Sequence, residues 1–219
     1  MNIAILYDAM ENAEAGAEEL LAGEPLFTHS LKQFYLHPCI DYVVMVWCET
    51  GIGSHAAQYM EQWGKSYGFM KPFRQFYGEE NLQCILSQMG RDEKEKADLY
   101  IFHDIRYPCV TSDMIYMVAQ KAAVYGLAVT AGCMDENVVL ASENKCIGRS
   151  FRYVRYPIAM AFNHKLKGKM GRKEEVLGLC CEERPYLCNA EGRNPIVYSG
   201  NDIELAEAMM AVEKGKDNV

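Results

Sequence analysis

Apolar runs of strand length at Ile3–Tyr7, Tyr42–Trp47, Leu99–Phe102 and Leu127–Thr130 alternate along the chain with stretches whose apolar residues recur at helical period. That alternation predicts a mainly parallel sheet covered by helices. The helices show their inner faces: Ala56, Met60 and Trp63 form one stripe, Ile115, Val118, Ala119 and Ala122 a second, and Ile203, Ala206 and Met210 a third. Starts are marked at Thr111-Ser112-Asp113 and at Ser199, whose hydroxyl is placed to accept a backbone N–H while Asp202 sits in the positive first turn. Gly126 ends the helix that precedes it. The mixed-charge run Asp92–Lys96 reads as a solvated helix end leading into the next strand. Ser142–Tyr156 is polar, rich in β-formers and basic through Lys145, Arg149, Arg152 and Arg155, and predicts a hairpin that projects from the sheet.

With 219 residues, half of them apolar, the chain is long enough to bury one full α/β core, and we read 1–219 as a single domain. No apolar run approaches the roughly 20 residues of a membrane span, and the start of the chain lacks a basic leader, so a cytoplasmic protein is expected. The nine cysteines, without a C-x-x-C pair or a histidine at zinc spacing, are then reduced thiols rather than a metal site. A formal charge of −8 disfavours nucleic acid, whose phosphates need a basic surface. A small molecule or a protein is the expected partner.

Gly51-Ile-Gly53-Ser-His-Ala56 matches a dinucleotide-binding pattern, follows the second apolar run and opens a helix. Because it does not follow the first strand and no acid stands cleanly at the end of the next to bind a ribose, an ordinary turn and cap is the expected structure. His29, His37, His55 and His164 have no Ser, Cys or acid at a spacing that suggests nucleophilic catalysis, and are taken as structural.

Three stretches stand out when taken together: Gly23–Phe34 with His37–Val46 (GEPLFTHSLKQF … HPCIDYVVMV), Ala97–Pro108 (ADLYIFHDIRYP), and Ser199–Glu207 (SGNDIELAE). In order and at about the same spacing, they resemble the motifs of the 2-C-methyl-D-erythritol 4-phosphate cytidylyltransferases and their relatives that act on ribitol 5-phosphate. The resemblance covers nearly the whole chain. It implies a three-layer, doubly wound, mostly parallel sheet of the nucleotide-diphospho-sugar transferase type with a projecting β-arm, CTP and Mg²⁺ lying over the carboxyl ends of the strands. It also implies transfer of CMP to a sugar-alcohol phosphate with release of pyrophosphate, and a homodimer clasped by the arm.

Carried over position by position, the resemblance implies Asp104 as metal ligand and catalytic residue with Arg106 beside it, although the family places its arginine one residue later. His103, Gly78, Asn81 and Cys84 fall on the nucleotide side, and Asp135, Arg149, Arg152 and Arg155 on the substrate side. The bland reading of Asp104 is a turn or capping acceptor.

Several family positions differ here. Joining a nucleotide to a phosphate gathers negative charge, which calls for backbone N–H donors and cations. Where the family has a glycine-rich loop and a lysine, Asp8–Leu20 has one glycine, no Lys or Arg, and the acids Asp8, Glu11, Glu14, Glu18 and Glu19. Asn81 and Cys84 stand at the family's arginine and serine, and Ile196 or Val197 at its substrate-side lysine. These departures set a second expectation beside the enzyme: a non-catalytic homologue that binds or regulates.

Overall fold

In a computed structural model the described residues are 1–8, 16–47, 53–68, 70–77, 97–133, 139–142, 145–149, 152–161, 184–189 and 194–216. The chain runs β1 (Asn2–Tyr7), β2 (Leu20–Leu21), β3 (Glu24–Pro25), α1 (Leu26–Leu36), β4 (Tyr42–Trp47), α2 (Gly53–Tyr67), β5 (Phe73–Tyr77) and β6 (Leu99–Asp104). It continues through α3 (Ser112–Tyr125), β7 (Leu127–Cys133), β8 (Val139–Ser142), β9 (Lys145–Arg149), β10 (Arg152–Ala161), β11 (Tyr186–Asn189) and α4 (Gly200–Lys216). Seven strands form one sheet in the order β11-β7-β10-β6-β1-β4-β5. All neighbours are parallel except β10, which runs antiparallel to both β6 and β7.

The four expected strands are present, and three run further than their apolar cores: β1 begins at Asn2, β6 continues to Asp104 and β7 to Cys133. Every residue of β4 and β6 is buried, as a parallel strand covered on both faces demands. Alternate residues feed two cores. Ala4, Leu6, Val43, Met45, Trp47 and Ile101 join the helix-facing cluster, in which Ala56, Met60, Trp63, Ile115, Val118, Ala122, Ile203 and Ala206 supply the expected stripes; Met210 packs partly buried against it. Ile3, Ile5, Tyr42, Val44, Phe102, Val129 and Ile158 form the second.

Helix ends follow local chemistry. Thr111 Oγ1 accepts the Met114 N–H at 3.3 Å, and Gly126 (φ 85°) closes α3 by donating its N–H to the Ala122 carbonyl at 2.8 Å. Ahead of α4 the polarity is the reverse of that expected. The Ser199 hydroxyl donates to Asp202 Oδ2 at 2.9 Å, and the same oxygen accepts the Ser199 and Tyr198 N–H groups at 2.9 and 3.1 Å. A carboxylate already in the first turn outcompetes the hydroxyl as acceptor.

The hairpin also differs from its sequence boundaries. β8 (Val139–Ser142) and β9 (Lys145–Arg149) pair as a separate two-stranded sheet, whereas Arg152–Tyr156 belong to β10, of which Arg152–Arg155 pair with β7 in the main sheet. Basic, β-rich sequence marks both pieces alike, which is why 142–156 looked continuous. A register shift between Arg155 and Ile158, beside the cis Tyr156–Pro157 bond, separates the part of β10 that pairs β7 alone from the part that pairs both neighbours.

Between β2 and β3, Ala22 (φ 51°) and Gly23 (φ 84°) occupy a two-residue turn with both φ positive, the geometry that matches strand twist. Space is open around Gly23, so a side chain there meets backbone strain and no clash. Gly23→Val is expected to lower stability by about 1–2 kcal/mol and Ala22→Asn to raise it slightly, as read by urea midpoints.

Candidate functional site

Parallel β1, β4, β5 and β6 end at one edge of the sheet. From β1 the chain proceeds outward to β4 and then β5, and later returns to place β6 on the other flank of β1. The carboxyl ends of β1 and β6 therefore flank the switch point, where open α/β sheets bind ligands. Tyr7 is in register with Asp104, the Ile105 N–H donates to the Tyr7 carbonyl at 3.0 Å, and the N–H of buried Asp8 donates to the Val46 carbonyl at 2.8 Å.

Asp104 is the last residue of β6 and is buried, and the turn that follows folds Arg106 back onto it. Oδ1 accepts the Arg106 backbone N–H at 3.0 Å and Nε at 3.1 Å; Oδ2 accepts Nε at 3.0 Å and Nη2 at 2.6 Å. This is a charge-assisted fork held largely out of water. Burial alone would lower the guanidinium pKa, but its hydrogen bonds to Asp104 and that residue's charge outweigh the loss, so the net direction is upward. Arg106 Cζ also lies 4.7 Å from the centre of the Tyr198 ring, and the Arg106 carbonyl accepts the Val197 N–H at 2.8 Å. The segment before α4 is thus tied to the turn after β6. Asn194 adds a second tie by accepting the Cys109 N–H at 2.9 Å.

His103 lies directly behind the site with its side chain fully enclosed. Nε2 is 3.0 Å from Ser30 Oγ and 3.2 Å from the Tyr107 carbonyl, while Phe34 and Tyr156 pack on the ring. A carbonyl only accepts, so Nε2 carries the proton. Nδ1 is then a bare acceptor with no hydrogen-bond partner among the described residues. Burial pushes the imidazole pKa down to about 3, against a smaller upward pull from the Tyr107 carbonyl. Enclosed in this way, the ring holds α1 against the Asp104–Tyr107 turn.

A histidine that titrates near 6.5 when unfolded and near 3 when folded takes up its proton only on unfolding across that interval. Its contribution is therefore complete above pH 6.5 and is lost as pH falls towards 3. Buried His37, lowered mainly by desolvation, acts in the same direction. We expect unfolding free energy to fall between pH 7 and pH 4.5, and His103→Gln to flatten that slope in urea titrations at each pH.

The other expected site residues are distributed as follows. Gly78, Asn81, Cys84 and Asp135 lie outside the described residues, as do the Asp92–Lys96 run, Gly51, His164 and positions 9–15 of the acidic interval. Arg149 is in β9, at the end of the small hairpin, and Arg152 and Arg155 are in β10 opposite Cys133 and Thr130. Val197, at one of the two positions for the family's lysine, is fully buried. Glu18 accepts a hydrogen bond from His55 in the first turn of α2, His29 meets the Leu21 carbonyl at 2.8 Å, and His37 meets the Ser112 carbonyl at 3.0 Å. Each of the three histidines is engaged in a local hydrogen bond, His55 at the exposed surface. A groove of about 490 Å³ lies at the opposite edge, between the strand starts and α3, lined by Asn2, Cys39, Leu99, Tyr116 and Gln120.

Does the switch point suit a resident divalent ion? Both oxygens of Asp104 are taken by Arg106, which already answers its charge. Among the described residues no group of three His, Cys, Asp or Glu side chains converges. As arranged, these residues do not fit a resident metal. What they do present is a fixed cation beside an aromatic ring. Tyr198 gave no signal in the sequence, because an aromatic that meets an arginine only through tertiary structure has no spacing to recognise.

No protein-family model and no curated protein matches the sequence. Solved structures match along nearly its full length. The 4-diphosphocytidyl-2C-methyl-D-erythritol synthase of Anaerococcus prevotii aligns over 96% of both chains with a TM-score of 0.72 and 14% identity. The 2-C-methyl-D-erythritol 4-phosphate cytidylyltransferase of Francisella tularensis aligns over 95% of this chain and 100% of its own, at 0.65 and 16%. A CMP:2-keto-3-deoxy-manno-octonic acid synthetase complexed with CTP aligns over 97% and 99%, at 0.64 and 12%. What is shared at such identities is the fold, which is the one the sequence resemblance implied.

Proposed function

We propose that this chain is a cytidylyltransferase-like nucleotide-binding protein that takes CTP, with Mg²⁺ carried on the nucleotide, in the crevice above the carboxyl ends of β1 and β6. In the reading with turnover, CMP passes to the phosphate of a sugar alcohol such as methylerythritol 4-phosphate or ribitol 5-phosphate, and pyrophosphate leaves. The single observation that carries the proposal is the placement of Asp104 and Arg106 at the switch point of a sheet shared, end to end, with structures of cytidylyltransferases. A cytoplasmic homodimer belongs to the same proposal; no described helix is long and apolar enough to cross a membrane.

A second reading, binding or regulation without turnover, is favoured by one specific feature: the carboxylate that would meet a metal is closed by Arg106. Two measurements separate the readings. CTP with Mg²⁺ is expected to raise the melting temperature, because a ligand that binds only the folded state stabilises it by mass action. Pyrophosphate release with either sugar-alcohol phosphate then marks turnover. A shift without release supports the second reading, and absence of any nucleotide shift overturns the nucleotide-binding proposal and leaves a homologue that binds or regulates through another partner.

A further inference from the structure

The guanidinium of Arg106 turns only one of its edges to Asp104. Nε and Nη2 make all the side-chain contacts to the carboxylate, and among the described residues Nη1 and the outer hydrogen of Nη2 have no partner. A guanidinium carries five N–H donors in a rigid plane, so an anchored inner edge leaves the outer fork with its direction fixed. Tyr198, itself about half exposed, lies over Arg106 and limits rotation out of that plane. The turn carrying the arginine is pinned three times more: by the bond from the Arg106 N–H to Asp104, by the bond from Val197 to the Arg106 carbonyl, and by the contacts of Ser30 and His103 to the Tyr107 carbonyl. The arginine is therefore held rigid, with 16% of its side-chain surface still exposed.

We propose that Arg106 is a metal-independent receptor for a phosphate oxyanion, with Asp104 and Tyr198 as the residues that position it. The inference rests on the proposed nucleotide site and assigns its parts differently from the sequence resemblance. Asp104 orients a cation instead of holding a metal, and the segment before α4 supplies an aromatic shelf instead of a lysine. Two parallel N–H···O bonds from a preoriented fork suit a phosphate, whereas a lysine would offer a mobile point charge. Ordering cost is what usually limits such binding, and here it has been met during folding.

The positioning roles make an expectation opposite to that of simple charge. Removing a carboxylate beside an anion site should tighten anion binding by Coulomb's law; if Asp104 aims the fork, its loss should weaken it. The test is calorimetric titration of the full chain with inorganic pyrophosphate in EDTA, repeated with CTP. Arg106→Lys is expected to weaken pyrophosphate binding at least tenfold, Asp104→Asn several-fold, and Tyr198→Leu several-fold with recovery in Tyr198→Phe. Tyr198 is exposed enough that its variants should fold even if those at Asp104 do not. No pyrophosphate binding in EDTA, or binding unchanged by Arg106→Lys and Tyr198→Leu, would overturn the proposal. So would tighter binding by Asp104→Asn. Pyrophosphate bound through Arg106 with no added affinity for CTP keeps the receptor and removes the nucleotide reading. CTP bound equally by wild type and Arg106→Lys keeps that reading and removes the receptor.

Discussion

Replacing Arg106 by Met is expected to cost about 3–5 kcal/mol of folding stability, because it strands the Asp104 carboxylate in a buried position without its counter-charge. Methionine preserves much of the side-chain volume, so the loss measures the charge more than the packing. Only the bond from the backbone N–H of residue 106 would remain to the carboxylate. Asp104→Asn combined with Arg106→Met removes both charges, and most of the lost stability should return in the double variant. Urea unfolding of the two single variants and the pair completes a thermodynamic cycle. A cost below 1 kcal/mol for Arg106→Met would mean that water reaches the pair freely and that the turn is not pinned as described.

Trp47→Ala should be comparably severe, at about 3–5 kcal/mol. Trp47 is the last residue of β4 and is fully buried, edge-on to Phe27 with ring centres 5.4 Å apart. Its Nε1–H donates to Gln75 Oε1 at 2.7 Å, which joins β4 to the outer strand β5 through side chains as well as backbone. Alanine would open a large cavity between α1 and the sheet and leave Gln75 without this donor. Trp47→Phe separates the two effects: it retains most of the apolar contact and loses the hydrogen bond, for about 1–2 kcal/mol. Equal losses for Ala and Phe, measured by the same unfolding midpoints, would show that the hydrogen bond and not the packing dominates.

The architecture was legible in the chain because its signals are local. A run such as Tyr42–Trp47 is buried on both faces wherever it lies in a parallel sheet, and the stripe Ile115, Val118, Ala119, Ala122 requires a helix whatever covers it. Where composition speaks for two structures at once, boundaries were lost. The basic β-formers from Ser142 to Tyr156 belong partly to a separate hairpin and partly to β10, and only pairing with β7 tells them apart. The antiparallel entry of β10 has the same origin, since strand direction is written in connections and not in residue type.

At the site the sequence pointed to Asp104 and Arg106 but could not show that they face each other. Two residues apart at the end of a strand, they meet because the turn after β6 reverses the side chain of Arg106 onto the carboxylate. His103 was placed on the nucleotide side through the family motif, and its ring is enclosed by Ser30, Tyr107, Phe34 and Tyr156. Burial of a single histidine in an apolar strand carries no mark in the sequence. Tyr198 and Val197 were invisible for the complementary reason: what matters about them is a tertiary contact to Arg106.

Because β10 sits between β6 and β7, no backbone ladder joins the two flanks of the sheet among the described residues until residues 152–161 arrive. A nascent chain that has reached Cys133 leaves the facing edges of β6 and β7 open, each with unpaired N–H and carbonyl groups, and the segment that bridges them is still to be synthesised. Sheet completion is thus a late, long-range step, and it is expected to slow folding and to open a window for self-association. A chain stopped after Cys133 should aggregate where the full chain does not, and light scattering that finds it monomeric would contradict this order of assembly.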